Sequence, residues 1–581
     1  MKLFYKTILM SATLLMANIN LSAAKLKTIR LQIIETSDTH GGFFPWDFTN
    51  NHPTKTSMAH VSSYINKVRK ENPDAVILLE NGDILQGQPI NYYFNYIATD
   101  KQNISSQYVN LLKYDAQNFG NHDLETGHPV YDKWKSELLC PLLGANIISK
   151  DTGKPYAKPY TIIERKGVKV AVIGLVTPAV PNWLAEDLWE GMEFKEMISS
   201  AREWIDIVQR TEQPDVVIGL FHSGKANGIA TPDYTENMSM RIAQEVPGFD
   251  AIMFGHDHDA ICEMTTSSDG RQVLIINPGN NVRYVAQATV TITKKGKKML
   301  TKSVEGQLVS LANEQADENY LQHFSKEIDN IKLWTSQRIG TIEHSIDVTD
   351  CFFGSSAFTD LIHNLQLQLT GADISLSAPQ TYKGLLDKGD VTVADMFKLY
   401  KFENTLYTMR LTGKEIHQLL EMSYNQWVST MSSPDDHIML IKQEKRNNRR
   451  QYSFQNPAFN FDSAAGIDYE VDVTKPEGQR VTILQMSDGE PFNADQLYTV
   501  AVNSYRGNGG GELLTKGAGI PKEELKNRII SRTEKDLRFY LMQEIERLQT
   551  ISPKANNNWR FVPDEWAIPA IKRDRQLLFG N

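Results

Sequence analysis

The pattern of apolar and polar positions in the first half of the chain predicts a buried, largely parallel β-sheet. Short runs of almost uninterrupted apolar residues lie at 31–34, 75–79, 168–176, 216–221 and 251–254, and each leads into a loop rich in Gly, His, Asp, Asn or Pro. Such runs are typical of strands that are buried on both faces. The pattern therefore predicts an α/β fold with polar loops after the strands, where sheets of this class bind ligands.

Near residue 315 the pattern changes to that of a long amphipathic helix. Leu321, Phe324, Ile328 and Ile331 recur every three or four residues within a charged stretch. Apolar positions at this spacing lie on one face of a helix. The pattern predicts a single helix over 315–339, which we interpret as a bridge between two domains.

A second α/β region follows this helix. Its pattern predicts a helix at 357–369, a strand at 373–377, a further segment at 390–412 and a loop at 503–511. The chain is therefore expected to comprise a signal peptide at 1–24, a first domain at 25–314, a bridging segment at 315–345 and a second domain at 346–581.

The first 24 residues have the composition of an export signal. Lys2 and Lys6 precede an apolar stretch at 8–17, and small residues follow at 22–24. This order predicts a cleaved signal peptide and a periplasmic or secreted protein, with a buried N-terminal helix as the alternative. No later run reaches the ~18 apolar residues of a membrane-spanning helix, so we expect no membrane anchor.

Composition and charge narrow the classes of partner. The 581 residues are 41% hydrophobic and 23% charged, with 61 basic and 70 acidic side chains and a net charge of −9. This balance gives no overall field for holding a nucleic acid polymer, and the basic run at 443–452 is predicted to be a solvated surface loop.

Cys140, Cys262 and Cys351 lack the C-x-x-C spacing of a thiolate zinc site and are predicted to be buried apolar residues.

Five loops carry residue types that bind metal ions. They contain, in chain order, Asp38-Thr39-His40, Gly82-Asp83, Gly120-Asn121-His122-Asp123, Phe221-His222-Ser223-Gly224 and Gly255-His256-Asp257-His258. In extended backbone, residues two apart point the same way, so Asp38 with His40, and His256 with His258, can approach one point. Imidazole, carboxylate and amide ligands suit Zn²⁺, Mn²⁺, Co²⁺ or Fe. Each motif alone also fits a cap or a turn, but five in this order predict a metal centre.

The order and content of these motifs resemble the calcineurin-like metallophosphoesterases. Further stretches extend the resemblance to the two-domain bacterial 5′-nucleotidase family, including its branch that opens 2′,3′-cyclic nucleotides and dephosphorylates 3′-nucleotides; they lie at 167–175, 178–183, 400–405, 459–473 and 503–511. The resemblance implies an N-terminal four-layer α/β/β/α metallophosphoesterase sandwich, joined by a helix to a C-terminal α/β nucleotidase domain that binds the nucleoside.

The resemblance also implies two divalent metal ions (Mn, Co, Zn or Fe) and their ligands. One ion is expected on Asp38, His40, Asp83 and His258, and the other on Asp83, Asn121, His222 and His256, with Asp83 bridging both. Two such ions ~3.5–4 Å apart bind phosphate oxygens and activate a water molecule. Asn121 is expected to contact the substrate as well.

His122 is the one imidazole in these motifs that the implied ligand sets do not use. It is expected to donate a hydrogen bond or a proton to the phosphate or the leaving oxygen. The family orients this histidine with an aspartate three residues later, where the present chain has Glu125. Glu125 is therefore favoured as the orienting carboxylate, with Asp123 as the alternative and a loop cap as the structural reading of both.

Phe402 and Tyr505 match the paired aromatic residues that stack on the base in this family. Both lie in polar or glycine-rich stretches, where a ring can expose its face to a planar base; the alternative is that both are core residues. One departure is clear, because residues 376–383 (LSAPQTYK) lack the family's G-G-G-x-R segment.

These observations predict a monomeric, metal-dependent hydrolase that acts on a small-molecule nucleotide. The expected reaction opens 2′,3′-cyclic nucleotides to 3′-nucleotides and dephosphorylates these to nucleosides. The first alternative is a 5′-nucleotidase or nucleotide-sugar hydrolase, against which the missing G-G-G-x-R segment weighs. The second is a nucleotide-binding protein without turnover, which would be expected to have lost residues of the metal motifs.

Overall fold

The computed structural model describes residues 26–296, 298–446 and 449–580. The predicted signal peptide at 1–24 lies outside the described residues. Among the residues described, no helix is both long and apolar enough to cross a membrane.

Two six-stranded sheets form the centre of the first half of the chain. In order across the first sheet, the strands are Lys298–Ser310, Tyr284–Lys295, Leu26–Thr36, Val76–Glu80, Ala116–Asn118 and Leu142–Leu143. Across the second sheet they are Ala260–Thr266, Gln272–Pro278, Ala251–Phe254, Val216–His222, Val168–Val176 and Tyr160–Arg165. The five predicted strands are confirmed and pair in parallel within their sheets, so their carboxyl ends lie at shared edges.

Successive side chains of these strands face opposite layers. Ile33 of the first sheet and Val170 of the second pack between the two sheets, whereas Leu78 and Ala171 face outward. Helices cover both outer faces: Met58–Glu71, Ile104–Leu112 and His128–Glu137 on the first sheet, and Met197–Thr211 and Ser239–Glu245 on the second. The first half is therefore the expected α/β/β/α sandwich.

The expected single bridging helix is wrong in its extent. Two helices, Glu318–His323 and Ser325–Thr335, meet at Phe324, whose ring is buried in the core of the first half. Arg338–Ile342 is a strand that pairs with two strands of the second half. Long-range pairing thus ends the helix earlier than the apolar spacing indicates.

A five-stranded mixed sheet is the centre of the second half. Its strands, in order, are Ser463–Ala465, Ile374–Ser377, Leu497–Asn503, Thr405–Thr412 and Ile529–Asp536. Two three-stranded sheets contain Gly389–Thr392, Arg338–Ile342 and Thr550–Ile551, and Val481–Met486, Ile467–Asp472 and Trp559–Val562. The longer helices are Ala357–Thr370, Val393–Leu399, Gly413–Trp427, Leu537–Leu548 and Asp564–Phe579. The helix predicted at 357–369 and the strand predicted at 373–377 are confirmed.

Two predicted loops contain regular structure. The basic run at 443–452 lies in a hairpin of strands Ile441–Arg446 and Arg449–Phe454. The stretch at 503–511 begins with the short helix Ser504–Gly507, because the side chain of Asn503 accepts a hydrogen bond from the Arg506 N–H and caps it.

The prediction of three buried cysteines is also wrong. All three thiols are free, and Cys351 is buried, Cys140 is half-buried and Cys262 is exposed. Cys262 lies on the edge strand Ala260–Thr266, where alternate side chains face solvent. Its position on an edge explains the exposure.

Candidate active site

Four of the expected metal ligands form a compact cluster at the carboxyl edge of the two sheets. One ligand atom from each of Asp38, His40, Asp83 and His258 lies within 4.8 Å of the others. His258 Nε2 is 3.4 Å from Asp38 Oδ1, and His40 Nε2 is 3.9 Å from Asp83 Oδ2. These are the four residues that the family resemblance assigns to one ion.

The hydrogen bonds of His40 leave its ring nitrogen Nε2 available as a ligand. Nδ1 lies 3.1 Å from the carbonyl oxygen of Gln86, so it carries the proton and donates it. Burial lowers the pKa of His40 to about 4, and the neutral ring then directs a lone pair at His258 Nε2, 3.1 Å away. Two imidazole nitrogens and two carboxylates that face one point fit a divalent cation.

A second group of expected ligands meets the first at Asp83. His222 Nδ1 donates to the carbonyl oxygen of Asn81 at 2.6 Å, and His222 Nε2 lies 3.2 Å from Asp83 Oδ2. The side-chain oxygen of Asn121 is buried without a hydrogen-bond partner. An unpaired buried acceptor costs about 1–3 kcal/mol, and a cation beside Asp83 would satisfy it. The donor set therefore fits a second ion.

Without a metal ion, a proton on His222 supplies positive charge next to Asp83. Burial alone would lower the pKa of His222, but the carboxylates of Asp83 and Asp38 outweigh it and raise the pKa to about 10. The same electrostatic attraction that holds this proton would favour a metal ion. Protons and metal ions are therefore expected to compete for this position.

His256 is held by a carboxylate that sequence reasoning missed. Its Nε2 lies 2.8 Å from Glu236 Oε1, which leaves Nδ1 available for an ion. Its ring centroid is 5.4 Å from that of His222 and 5.7 Å from that of Trp183. Glu236 lies in a short strand, Thr235–Asn237, outside every recognised motif. A carboxylate behind a ligating histidine fixes the ring and its tautomer.

The backbone of the ligand loops is strained at the ligands themselves. Positive φ angles occur at Asp38 (50°), His40 (44°), Asp83 (58°), His256 (78°) and His258 (62°). Residues other than glycine rarely adopt this left-handed region, and such strain clusters at functional sites. The loops therefore keep these side chains convergent at a conformational cost.

Gly120 explains why glycine precedes the Asn-His-Asp triplet. A Cβ atom at this position would lie 2.2 Å from Asp83 Oδ1 and 2.3 Å from the Asp83 backbone nitrogen. The His122 N–H then donates to Asp83 Oδ1 at 2.9 Å. Only a residue without a side chain allows these two ligand loops to approach so closely.

His122 is paired with Glu125, and not with Asp123. Glu125 Oε2 lies 2.5 Å from His122 Nδ1. Burial alone would lower the pKa of His122, but Asp83 and Glu125 raise it to about 9. His122 is therefore protonated near neutral pH in the chain alone and can donate from Nε2.

Asp123 does not face the site, which corrects the alternative expectation that it acts in catalysis by orienting His122. Its carboxylate accepts hydrogen bonds from the backbone N–H groups of Asp83, Ile84, Leu85 and Gly120 at 2.8–3.0 Å. These bonds tie two ligand loops together. Its position directly after His122 favours this backbone role over contact with the imidazole.

Phe402 and Tyr505 line the same cavity, which is about 520 Å³ in volume. Both rings are half-buried, which argues against the alternative that they are core residues. Each meets Phe459 edge to face, with ring centroids 6.3 Å and 6.0 Å away. Phe459 was not singled out in the sequence, because nothing there distinguishes it from Phe461 two residues later, whose ring is buried in the core.

The cavity also reaches the metal-ligand loops. Asn121, His122 and His256 line it from the first half of the chain. The rings of His122 and Phe402 are parallel within 8°, with centroids 6.5 Å apart. One cavity therefore joins the expected base-stacking rings to the expected proton donor.

A second cavity, of about 530 Å³, is also lined by Phe402. It contains His40 and His258 from the ligand cluster, together with Lys383 and Lys401 from the second half. Lys383 belongs to the stretch that lacks the G-G-G-x-R segment. The second cavity therefore carries lysine charge instead of arginine charge.

The two halves of the chain match two family models. The calcineurin-like phosphoesterase model matches residues 31–260, and the model of the 5′-nucleotidase C-terminal domain matches residues 338–516. The chain therefore carries a calcineurin-like phosphoesterase domain followed by a 5′-nucleotidase C-terminal domain.

Two curated proteins that are similar to this chain are named as nucleotide phosphoesterases. The trifunctional nucleotide phosphoesterase YfkN of Bacillus subtilis is 26% identical over 92% of the present chain, which spans only 39% of the length of YfkN. The 2′,3′-cyclic-nucleotide 2′-phosphodiesterase/3′-nucleotidase of Yersinia enterocolitica is 25% identical, covering 93% of this chain and 89% of that protein.

A solved structure shares the fold over both domains. The 5′-nucleotidase precursor of Thermus thermophilus has a TM-score of 0.63 at 19% identity, covering 92% of this chain and 99% of that one. At this identity the likeness extends to the fold alone.

We expect Asp83→Asn to reduce bound metal from two ions towards one or none and to abolish turnover. The substitution keeps the shape but removes the carboxylate that faces both His40 and His222. Metal content per chain, measured by mass spectrometry after reconstitution with Mn²⁺, tests this, with Asp269→Asn in an exposed turn as control. Two full-occupancy ions in Asp83→Asn would contradict the bridging role.

Proposed function

We propose that this two-domain phosphoesterase opens 2′,3′-cyclic nucleotides to 3′-nucleotides and dephosphorylates these to nucleosides. The observation that carries the proposal is the single cavity shared by His122, Phe402 and Tyr505. A nucleotide stacked between the two rings would place its phosphate beside the ligand cluster. Two domains would thus hold the two ends of one small molecule.

The two ligand groups would hold the metal ions in this proposal. Asp38, His40, Asp83 and His258 would form one site, and Asp83, Asn121, His222 and His256 the other. When bound, two divalent ions (Mn, Co, Zn or Fe) supply Lewis-acid stabilisation of the phosphate charge and lower the pKa of water. Glu236 keeps the ring of His256 in place.

His122 would supply the proton for the leaving ribose oxygen. Its Nδ1 is occupied by Glu125, so Nε2 is the ring nitrogen that would donate to the substrate. The Glu125 carboxylate holds the ring orientation and stabilises the protonated form. Because each of the two steps releases a ribose oxygen from phosphorus, the same group can serve both.

The 2′,3′-cyclic and 3′-phosphate preference rests on the relatives and on residues 376–383. The Yersinia relative carries this activity in its name, and the stretch lacks the arginine segment typical of 5′-nucleotidases. Lys383 and Lys401 would supply positive charge near the phosphate instead. The proposal includes export of the protein to the periplasm or the medium.

A substrate panel tests the proposal directly. The protein without residues 1–24, loaded with Mn²⁺, Co²⁺ or Zn²⁺, is assayed with 2′,3′-cyclic AMP, 3′-AMP, 5′-AMP and a UDP-sugar. We expect the first two to have the highest kcat/KM. Faster turnover of 5′-AMP or the UDP-sugar would instead favour a 5′-nucleotidase or nucleotide-sugar hydrolase, and no turnover would favour a binding protein.

We expect His122→Ala to keep both metal ions and to lower kcat for 3′-AMP by roughly 10²–10⁴-fold, the usual contribution of a positioned acid. Glu125→Gln should cause a smaller loss, because the ring stays but loses its orienting charge. A 4-nitrophenyl phosphate ester has a good leaving group that needs little proton donation, so kcat for this substrate should fall less. Equal losses on both substrates would show that His122 acts on the phosphate itself; the exposed His344→Ala is the control.

We expect Phe402→Ala and Tyr505→Ala each to raise KM for nucleotides and to leave bis(4-nitrophenyl) phosphate almost unaffected. Stacking contributes about 1–3 kcal/mol per base and touches no reacting atom, so its loss falls on KM. Phe492→Ala, outside the cavity, is the aromatic control. An equal loss on the base-free ester would mean that both rings act only through folding.

A further inference from the structure

One aromatic side chain of the first domain is buried in the core of the second. Tyr92 is 3% exposed and packs in a cluster whose other buried members all follow residue 338. Its ring lies 5.7 Å from that of Phe397, and its hydroxyl donates to Asp536 Oδ2 at 2.9 Å. The contact therefore joins the two domains through a partly buried hydrogen bond to a carboxylate.

On the first-domain side, Tyr92 is closely connected to a metal ligand. The carbonyl oxygen of Gln86 accepts from His40 Nδ1, and the Gln88 N–H donates to the carbonyl oxygen of His40 at 3.2 Å. The helix Pro89–Tyr92 follows at once. Three residues thus separate Tyr92 from Gln88, whose N–H group fixes the backbone of His40.

On the second-domain side, the Tyr92 contact lies next to the segment that carries Phe402. Asp536 caps the helix Leu537–Leu548, and the next residue but one, Arg538, is fully buried. The Arg538 guanidinium carbon lies 5.0 Å from the centre of the Tyr92 ring. Tyr92 therefore covers the start of this helix.

Arg538 holds the Phe402 segment at three points. It donates to the carbonyl oxygens of Tyr400 (2.9 Å) and Lys401 (2.6 Å) and to the carboxylate of Glu403 (2.9 Å). Phe402 lies in the middle of these acceptors, with its ring parallel to that of His122. A continuous set of contacts thus runs from His40 through Tyr92 and Arg538 to Phe402.

We propose that Tyr92 is a positioning residue that sets the base-stacking ring Phe402 in register with the metal-ligand loops. The inference rests on the proposed function, since it takes the base to be stacked on Phe402. The Tyr92 hydroxyl and its acceptor Asp536 hold the two domains at the separation at which one nucleotide spans both. Substrates without a base do not need this register.

The test replaces Tyr92 by Phe, which removes only the hydroxyl. We expect KM for 2′,3′-cyclic AMP to rise roughly tenfold, the usual effect of losing a hydrogen bond to a charged group. The KM and kcat for bis(4-nitrophenyl) phosphate should stay within about twofold of the wild-type values. Tyr93→Phe is the matched control, because its hydroxyl makes no hydrogen bond within the described structure.

Two further variants separate positioning from general stability. Asp536→Asn keeps an acceptor oxygen and should retain more activity on the cyclic nucleotide than Asp536→Ala. In a Phe402→Ala background, Tyr92→Phe should add no further loss on this substrate, because the ring that it positions is gone. An additive loss in the double variant would overturn the proposal, and so would equal losses on both substrates in Tyr92→Phe.

A readout without turnover keeps this inference separate from the proposed function. Hydrogen–deuterium exchange of the segment at 400–407 should be faster in Tyr92→Phe than in the wild type or in Tyr93→Phe. If the wild type fails to cleave any nucleotide, the proposed function is wrong, and unchanged exchange would independently contradict the role of Tyr92. Unchanged KM in an active Tyr92→Phe protein would overturn the positioning role alone.

Discussion

The convergence of two buried carboxylates on one point is the constraint on which the rest of the site depends. Asp38 is fully buried and Asp83 is 1% exposed. Negative charges so close together in a low-dielectric interior repel strongly unless positive charge lies between them. In the chain alone, protonated His222 supplies part of that positive charge. Burial would raise the pKa of Asp83, but His222 and His122 outweigh burial and hold this pKa well below its usual range. The loops that hold this arrangement also accept left-handed backbone at five ligand residues.

In the proposed function, the second domain makes this charged site selective for nucleotides. It contributes the rings of Phe402, Phe459 and Tyr505 to one cavity beside the metal-ligand loops, and Lys383 and Lys401 to the second cavity. The metal-ligand loops alone would accept any phosphoester, whereas a cavity built by both domains would select for a molecule with a planar base. Under this proposal, selectivity would depend on the register between the domains, which Tyr92 would help to set.

Much of this organisation follows from local sequence. Apolar runs predict the buried strands because burial on both faces removes polar alternation, and the ligand motifs follow because they lie at the ends of those strands. Glu125 could be favoured over Asp123 because it stands at the family position. By contrast, Glu236 and Tyr92 reach their partners only through the tertiary fold, so no local pattern marks them.

The failures of sequence reasoning have the same origin. The bridging helix ends early because Arg338–Ile342 finds strand partners at Gly389–Thr392 and Thr550–Ile551. The spacing of apolar residues along a helix carries no information about pairing with strands that are distant in sequence. Cys262 is exposed because its strand is at an edge, a property of sheet order and not of the residue.

The most direct test of the account is a crystal structure of the Mn²⁺-loaded protein with a slowly hydrolysed 2′,3′-cyclic adenosine phosphorothioate. The account predicts adenine between Phe402 and Tyr505, with the phosphorothioate between the ligand cluster and His122. A phosphorothioate held at the ligand cluster while the base lies outside the aromatic cavity would contradict it.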